Sequence, residues 1–360
     1  MSFLKSNEYM ILMNSNEQIG GYGLKFISMP TEILKTVKDQ CGVIVVEEQI
    51  YWHDIERRKG EYHWELPDKQ VNRVLQAGMR CLLCAPITIP NFFPDDWYWK
   101  ARNGTMHHGL SFWNADAQSY QRMFVEKVIE RYHSSDVNVI LHGFLGGESL
   151  MTNEPGFFDA CAIDDFKRRY GQDRMPIVGP AKATYLNPRY PIPIPFELDD
   201  DTRVWLYDAC IRHHLFMQEP FRAQFNEVWD DLQPVIGLQS EANGNMCQYD
   251  LHKAYRETWP ETEQWLLMYT YFGNGPWSAS VMDRIIKDWS CNTIVEANYC
   301  EGLVGAPSTT DLAIELGFQG QIVCPLHPFR AHRKMEPWMY EAIRVANEKW
   351  KASRMRVTEM

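Results

Sequence analysis

The chain has 360 residues, 45% of them hydrophobic and 23% charged, so it can bury a large core without disulfides or metals for support. Its net charge of −11 argues against a nucleic-acid partner, whose phosphates would be repelled. No segment approaches the ~20 apolar residues of a membrane helix, and the N-terminus lacks the pattern of a signal peptide. We therefore expect a soluble, cytoplasmic protein.

Short apolar runs recur along the chain and alternate with stretches of helical periodicity. The predicted strands are 21–28, 42–49, 79–86, 137–144, 234–242, 265–273, 292–298 and 320–327. Near-continuous apolar runs of this kind are typical of strands buried on both faces, as in parallel sheets. The predicted helices are 31–40, 68–78, 116–133, 201–232 with a break at Pro220, 278–289, 309–317 and 336–350.

Eight strands alternating with helices over about 330 residues predict a (β/α)8 barrel, or TIM barrel, whose usual size is ~250 residues. A doubly wound open sheet is the alternative, but no glycine-rich phosphate loop follows the first predicted strand. We expect one barrel domain over residues 1–360. The surplus length forms long loops after strand three (87–114) and after strand four, where the insertion spans about 149–200. Loops at the C-terminal ends of barrel strands build binding sites.

The nine cysteines lie mostly in apolar runs, which indicates reduced, buried thiols. Cys81 and Cys84 have the CxxC spacing of a zinc site, but they lie within a predicted strand. No metal and no cofactor is therefore predicted.

Two glutamates stand at the C-terminal ends of predicted strands. Glu148 follows strand four behind Gly146 and Gly147, and Glu296 ends strand seven. In a barrel both would reach the mouth. Hydrolysis of a glycosidic bond needs one protonated carboxyl and one ionised carboxylate. We predict that Glu148 and Glu296 are this catalytic pair; the alternative is that each is a strand-end acid in a salt bridge.

Further polar and aromatic residues near the predicted mouth are expected to bind the substrate. They are Gln49, Trp97, Trp99, Trp113, Glu241, Asn243, Tyr271, Asn298 and His327. Aromatic rings can stack on the apolar face of a sugar, although core packing is the alternative for the same rings. Glu47 and Glu48, beside Gln49, are further candidates for binding a sugar hydroxyl.

The region 42–94 resembles the stretch from strand two to strand three of retaining (β/α)8 glycosidases, and it is most similar to family 42 β-galactosidases. The shared residues, in order, are Trp52, Glu56, Gly60, Tyr62, Trp64, Asp68 and Gly78. The segment 158–171 is also similar to the family's stretch after strand four. The resemblance implies cleavage of a β-linked glycoside, with the acid/base at Glu148 and the nucleophile at Glu296.

One departure from the family concerns the residue before the strand-four glutamate. The family usually has asparagine there, whereas this chain has Gly147. A Gly-Glu ending is similar to the strand-four motif of β-amylases, which are inverting (β/α)8 enzymes. An inverting glucan hydrolase and a non-catalytic carbohydrate-binding protein are therefore alternatives. The expected partner is an oligosaccharide or glycoside, with no nucleic acid or membrane, and a homo-oligomer is compatible with the sequence.

Overall fold

Eight parallel strands close into a barrel in the computed structural model. The structure describes residues 3–4, 10–14, 16–18, 26–87, 89–142, 157–179, 198–231, 244–269, 292–297, 308–315, 317–323 and 335–358. The strands are β1 (Met10–Asn14), β2 (Asn16–Gln18), β3 (Phe26–Ser28), β4 (Val45–Tyr51), β5 (Glu56–Arg58), β6 (Glu61–Tyr62), β7 (Arg80–Ile87), β8 (Tyr98–Lys100), β9 (Met106–Leu110), β10 (Val137–His142), β11 (Glu227–Asp231), β12 (Glu263–Tyr269), β13 (Asn292–Ala297) and β14 (Gly320–Val323).

The barrel consists of β1, β4, β7, β10, β11, β12, β13 and β14, each hydrogen-bonded to the next. A parallel pairing between β1 and β14 closes the ring, so the sheet has no open edge. The other six strands form antiparallel pairs outside it. The predicted (β/α)8 barrel is therefore confirmed.

The helices fill the connections between barrel strands. They are α1 (Thr31–Cys41), α2 (Trp52–Ile55), α3 (Glu65–Gln76), α4 (Ala115–Tyr132), α5 (Ala160–Tyr170), α6 (Asp200–Phe225), α7 (Gly244–Thr258), α8 (Thr309–Glu315) and α9 (Pro337–Thr358). Side chains that cap the first turn define where two of these helices begin. The Asn114 side chain accepts the backbone N–H of Ala117 to cap α4, and the Asp199 side chain accepts that of Thr202 to cap α6. No described helix has the length and apolar character that a membrane span needs.

The break predicted at Pro220 is wrong, because α6 continues to Phe225. A proline inside a helix lacks the N–H that would bond the carbonyl four residues earlier. That carbonyl belongs to Phe216, and it accepts a hydrogen bond from the Arg122 guanidinium of α4 at 3.1 Å instead. The helix ends at Asn226, which adopts a left-handed φ of 58°.

One strand prediction and the end of one predicted helix are also wrong. The first barrel strand is Met10–Asn14 and not 21–28, of which Phe26–Ser28 pairs with Asn16–Gln18 outside the barrel. The predicted helix 201–232 is too long, because Glu227–Asp231 forms the fifth barrel strand; the predicted strand 234–242 lies outside the described residues. Residues 232–243 and the predicted helix 278–289 lie outside the described residues, as do 149–156 and 180–197 of the predicted insertion.

The core has two parts, one on each face of the barrel sheet. The interior cluster comprises Phe3, Leu4, Val45, Leu82, Cys84, Ile140, Trp229, Trp265 and Ile322. The larger outer cluster joins the strands to the helical shell. Successive residues of a strand point to opposite faces, as β4 and β7 show: Val45, Leu82 and Cys84 lie in the interior cluster, and Val46, Cys81 and Leu83 lie in the outer one.

Candidate active site

Strand β4 carries two adjacent buried glutamates that face opposite sides of the sheet. Val45 packs in the interior cluster, and the alternation of the strand places Glu47 on that same inner side. Glu48 faces the helical shell, where it pairs with Arg73 of α3. Glu47 is 1% exposed and Glu48 is fully buried. Only Glu47 of this pair therefore belongs to the inside of the barrel.

The C-terminal end of β4 adds two hydrogen-bonded polar side chains at the mouth. The Tyr51 hydroxyl donates to Gln49 Oε1 over 3.2 Å, and the backbone carbonyl of Gln49 accepts from Gln70 of α3. Burial raises the pKa of the Tyr51 phenol, and nearby charges that include Asp54 and Glu47 raise it further. The phenol therefore stays a neutral hydrogen-bond donor. The sequence prediction named Gln49 but missed Tyr51, although their two-residue spacing on one strand was a usable signal.

Glu296 is the penultimate residue of β13, the seventh barrel strand. Its register partners are Tyr269 on β12 and Ile322 on β14. The C-terminal ends of all eight parallel strands meet at one end of the barrel, which is where sites are built on this fold. The backbone of Glu296 thus stands at the mouth.

Six members of the predicted site lie where the structure gives no description. Glu148 follows β10, which ends at His142. Glu148, Glu241, Asn243, Tyr271, Asn298 and His327 lie outside the described residues. Their roles stay predictions.

Two tryptophans predicted to bind substrate pack onto the loop that follows the third barrel strand. Trp99 is 5% exposed, and its ring meets Phe112 edge-on at 4.8 Å between centroids. A Cβ at Gly109 would come within 2.6 Å of the Trp99 ring, so this contact needs glycine. Trp97 stacks on Phe93 at 5.2 Å and remains partly exposed.

Trp113 stacks on Trp205 of α6, with 4.4 Å between ring centroids and 20° between the ring planes. The Trp205 indole in turn donates to Asp165 of α5. Trp97, Trp99 and Trp113 therefore all make packing contacts with neighbouring elements. Substrate binding stays a prediction for the three of them.

Three of the residues that carry the family resemblance, Trp52, Glu56 and Gly60, are joined by hydrogen bonds outside the barrel. Glu56 is fully buried and accepts the Trp52 indole N–H and the Gly60 backbone N–H, both at 2.7 Å. It also accepts the Tyr120 hydroxyl of α4. Gly60 has a φ of 82°, which favours glycine. These contacts fix the loop after β4 against α4, so the shared residues support the scaffold.

No group of three or more His, Cys, Asp or Glu side chains in the described part of the chain is arranged to hold a metal ion. Cys81 packs in the outer cluster and Cys84 in the interior cluster, so the two thiols point to opposite faces of β7. Burial raises the pKa of the Cys81 thiol well above its usual value. This CxxC pair therefore cannot chelate one ion.

Comparisons with known proteins identify the fold. No protein-family model and no curated protein sequence match the chain. The catalytic domain of a β-amylase from Paenibacillus polymyxa is similar in structure, with a TM-score of 0.60 and 12% identity over 88% of this chain and 92% of that one.

Two β-galactosidases are similar as well. A GH42 enzyme from G. stearothermophilus has a TM-score of 0.56 and 12% identity, covering 90% of this chain and 54% of that one. An enzyme from the Antarctic haloarchaeon Halorubrum lacusprofundi has a TM-score of 0.59 and 14% identity, covering 90% and 56%. This chain spans little more than half the length of both. The resemblance predicted from the sequence is thus confirmed for the fold, a TIM barrel like those of glycoside hydrolases.

Proposed function

We propose that the chain is a glycoside hydrolase that cleaves a β-linked glycoside with two carboxyl groups, Glu148 and Glu296. The observation that carries the proposal is the position of Glu296 at the C-terminal end of the seventh strand of a closed barrel. The backbone of Glu296 pairs in register with Ile322, which packs in the interior cluster. The structural similarity to a β-amylase and to β-galactosidases supports the same chemistry.

In the retaining form of this reaction, Glu148 donates its proton to the leaving glycosidic oxygen as the bond to the anomeric carbon breaks. Glu296 attacks that carbon from the opposite face and forms a glycosyl-enzyme ester. Glu148, now ionised, takes a proton from water as the water oxygen attacks the anomeric carbon; the bond from that carbon to the Glu296 oxygen breaks, which releases the sugar and the free Glu296 carboxylate. The acid must therefore be protonated and the nucleophile ionised at the working pH.

An inverting glucan hydrolase similar to β-amylases is the second candidate. It is favoured by the length match, because the chain covers 92% of the β-amylase catalytic domain but only 54% of the G. stearothermophilus β-galactosidase. Gly147 before Glu148 favours it too. In an inverting enzyme Glu296 would activate water, and the two carboxyl groups would lie ~6.5–9.5 Å apart, compared with ~5–5.5 Å in a retaining enzyme.

The test measures hydrolysis of a panel of aryl β-glycosides and of a soluble α-1,4-glucan by wild type, Glu148→Gln and Glu296→Gln. We expect each variant to lose about 10²–10⁴-fold in activity with an unchanged melting temperature, because each removes one proton-transfer or nucleophilic group. Glu130→Gln is the matched control, since Glu130 is an exposed glutamate of α4. NMR of the first-formed anomer separates retention from inversion.

Two outcomes would contradict the proposal. Full activity in both variants would remove these glutamates from the chemistry. A wild type that binds sugars in calorimetry but cleaves none of the substrates would instead support a non-catalytic carbohydrate-binding protein.

A further inference from the structure

We propose that Trp97 is a platform on which a sugar stacks, at an outer subsite beside the barrel mouth, and that Lys59 covers this ring while no ligand is bound. The inference rests on the proposed function for the nature of its ligand, a β-linked oligosaccharide. It gives the two residues opposite effects on binding, because one side chain attracts the ligand and the other competes with it.

The Trp97 ring is held in one orientation by its surroundings. Its backbone N–H donates to the Pro94 carbonyl at 2.9 Å, and its carbonyl accepts the Ser111 N–H at 2.8 Å. Phe93, which is 5% exposed, stacks on the indole with 5.2 Å between centroids and 21° between planes. The Tyr120 ring of α4 lies 6.0 Å away at 57°. Trp97 itself is partly exposed, so a ligand meets a ring that is already in place.

Lys59 lies at the tip of the hairpin formed by β5 and β6, on the solvent side of the same rings. Its ammonium is 5.4 Å from the centre of the Trp97 ring and 5.1 Å from that of the Tyr120 ring. Because Phe93 is buried and Lys59 is exposed, the lysine occupies the side from which a ligand must arrive. A cation–π contact at an exposed position contributes little free energy. A stacking sugar can therefore displace the ammonium.

The buried side chain of Glu56 keeps the hairpin close to the rings. Its carboxyl group accepts the backbone N–H of Gly60, the residue after Lys59, at 2.7 Å. It also accepts the hydroxyl of Tyr120. The same side chain thus holds the turn that carries the lysine and one of the rings that the lysine contacts. Only the Lys59 side chain has to move when a ligand binds.

The charges around the platform are mixed, which favours a neutral ligand. The pair Asp95–Asp96 precedes Trp97, the pair Arg57–Arg58 precedes Lys59, and all four residues are exposed. Such a surface selects neither an anion nor a cation, but its carboxylates accept hydrogen bonds from hydroxyls and its guanidinium groups donate to them. An aromatic ring with polar groups around it suits the apolar face and the hydroxyls of a sugar.

The platform lies outside the barrel sheet. Phe93 belongs to the outer cluster, and Tyr120 stands on α4 in the helical shell. The loop that carries Trp97 nevertheless follows the C-terminal end of β7, the end of a TIM barrel at which sites are built. Since a helical layer is ~10 Å thick, a single sugar inside the mouth does not also cover Trp97. The ligand of the outer subsite is therefore a further unit of an oligosaccharide chain.

The experiment measures binding of β-1,4-linked galactobiose and galactopentaose by calorimetry, in a Glu296→Gln background that should not consume them. Trp97→Ala should weaken binding of the pentasaccharide by about 3–10-fold, because the stacking contact is lost. Lys59→Ala should instead tighten it by about 2–5-fold, since the sugar no longer displaces a cation from the ring. The disaccharide does not reach the platform and should bind all these proteins alike.

Three further variants serve as controls. A guanidinium stacks on aromatic rings better than an ammonium, so Lys59→Arg should bind the pentasaccharide more weakly than the parent protein does. Arg57→Ala removes a neighbouring exposed cation of the same hairpin and should leave the affinity unchanged. Trp338→Ala removes an exposed tryptophan of α9 and should leave it unchanged as well.

The outcomes separate this inference from the proposed function. Unchanged affinity in Trp97→Ala, or no binding of either oligosaccharide, overturns the platform. Weaker binding in Lys59→Ala overturns the role of the lysine as a cover. Hydrolysis of the oligosaccharides by Glu296→Gln would instead contradict the proposed function. The order of KM values among the Trp97 and Lys59 variants would then test the platform in place of calorimetry.

Discussion

The two ends of the barrel are built in different ways. At the floor, where the strands begin, the groups satisfy one another: Glu227 accepts the backbone N–H of Phe3 at 3.0 Å and the Trp229 indole N–H at 2.7 Å. The Arg80 guanidinium donates to the Phe3 carbonyl and lies 5.2 Å from the centre of the Phe3 ring. Residues 3–4 thus close the floor with matched donors and acceptors.

At the mouth, where the strands end, several polar residues follow one another along β4, and a carboxylic residue stands near the end of β13. Glu47, Gln49 and Tyr51 stand on one strand, and Glu296 stands on another. Residues at this end of a TIM barrel serve chemistry, whereas those at the other end serve stability. Substitutions at the floor should therefore lower the stability of the protein. Substitutions at the mouth should lower its activity with little loss of stability.

The largest expected effect on stability comes from the interior stack above the floor. Trp229 is 2% exposed and lies parallel to Trp265, with 5.0 Å between ring centroids and 8° between planes. Trp229→Ala leaves a cavity and removes the indole N–H from Glu227, so we expect a loss of about 3–5 kcal/mol in the free energy of unfolding. Urea denaturation measures this.

Trp338→Ala is the control for that substitution, because Trp338 is 39% exposed on α9. It should change stability by about 0.5 kcal/mol or less. A loss below about 1 kcal/mol in Trp229→Ala would show that the floor and its stack are not where the stability of the barrel resides.

A second prediction concerns acid and the helical shell. Burial lowers the pKa of His214 on α6 to about 3 and that of His252 on α7 to about 4. An unfolded histidine has a pKa near ~6.5, so below that pH the unfolded state binds protons that the folded state does not. Stability is then complete above about pH 6.5 and falls by about 1.4 kcal/mol per pH unit for each histidine as the pH drops toward the folded value.

The variant His252→Gln tests this linkage. Glutamine can keep the hydrogen bond to Gln264, which His252 Nδ1 makes at 3.1 Å. Between pH 7 and pH 5 the variant should lose about 2 kcal/mol less stability than the wild type. If the wild type and the variant lose the same free energy of unfolding, the acid sensitivity arises elsewhere, for example at carboxylates of the mouth. The mouth would then contribute to stability as well as to activity.

The sequence predicted most of the fold because apolar periodicity marks strands that are buried on both faces. It succeeded where such runs are continuous, as in β7 and β13. It failed at β11, which begins with Glu227 and ends in two aspartates. One partner of Glu227 is Phe3, 224 residues away along the chain, and no local pattern contains that contact.

The candidate site was predictable to a smaller extent. The sequence marked the strand ends, but it treated Glu47 and Glu48 alike because which one faces inward depends on the register with β1 and β7. It also could not show that Trp99 is buried, since that follows from its approach to Gly109 in a folded hairpin. Position along a strand can be read from the sequence, whereas orientation and burial need the partner strands.

The smallest expected stability effect lies at the mouth, in Tyr51→Phe. The substitution removes the hydroxyl that donates to Gln49, so the free energy of unfolding should fall by only about 0.5–1.5 kcal/mol. If Gln49 binds the substrate, its loosened amide should raise KM several-fold with kcat nearly unchanged, because the lost contact serves ground state and transition state alike.

Tyr98→Phe is the matched control for this last variant. The Tyr98 hydroxyl also makes a buried hydrogen bond, to the carbonyl of Pro90 at 2.6 Å, but within the loop after the third barrel strand. The variant Tyr98→Phe should lose about as much stability as Tyr51→Phe and keep the wild-type KM. A larger KM in Tyr51→Phe alone would assign the end of β4 to the binding surface. Equal KM values in both variants would instead show that the hydrogen bond from Tyr51 to Gln49 only stabilises the structure, as the hydrogen bonds at the floor do. The contrast between the two ends of the barrel would then not apply to β4.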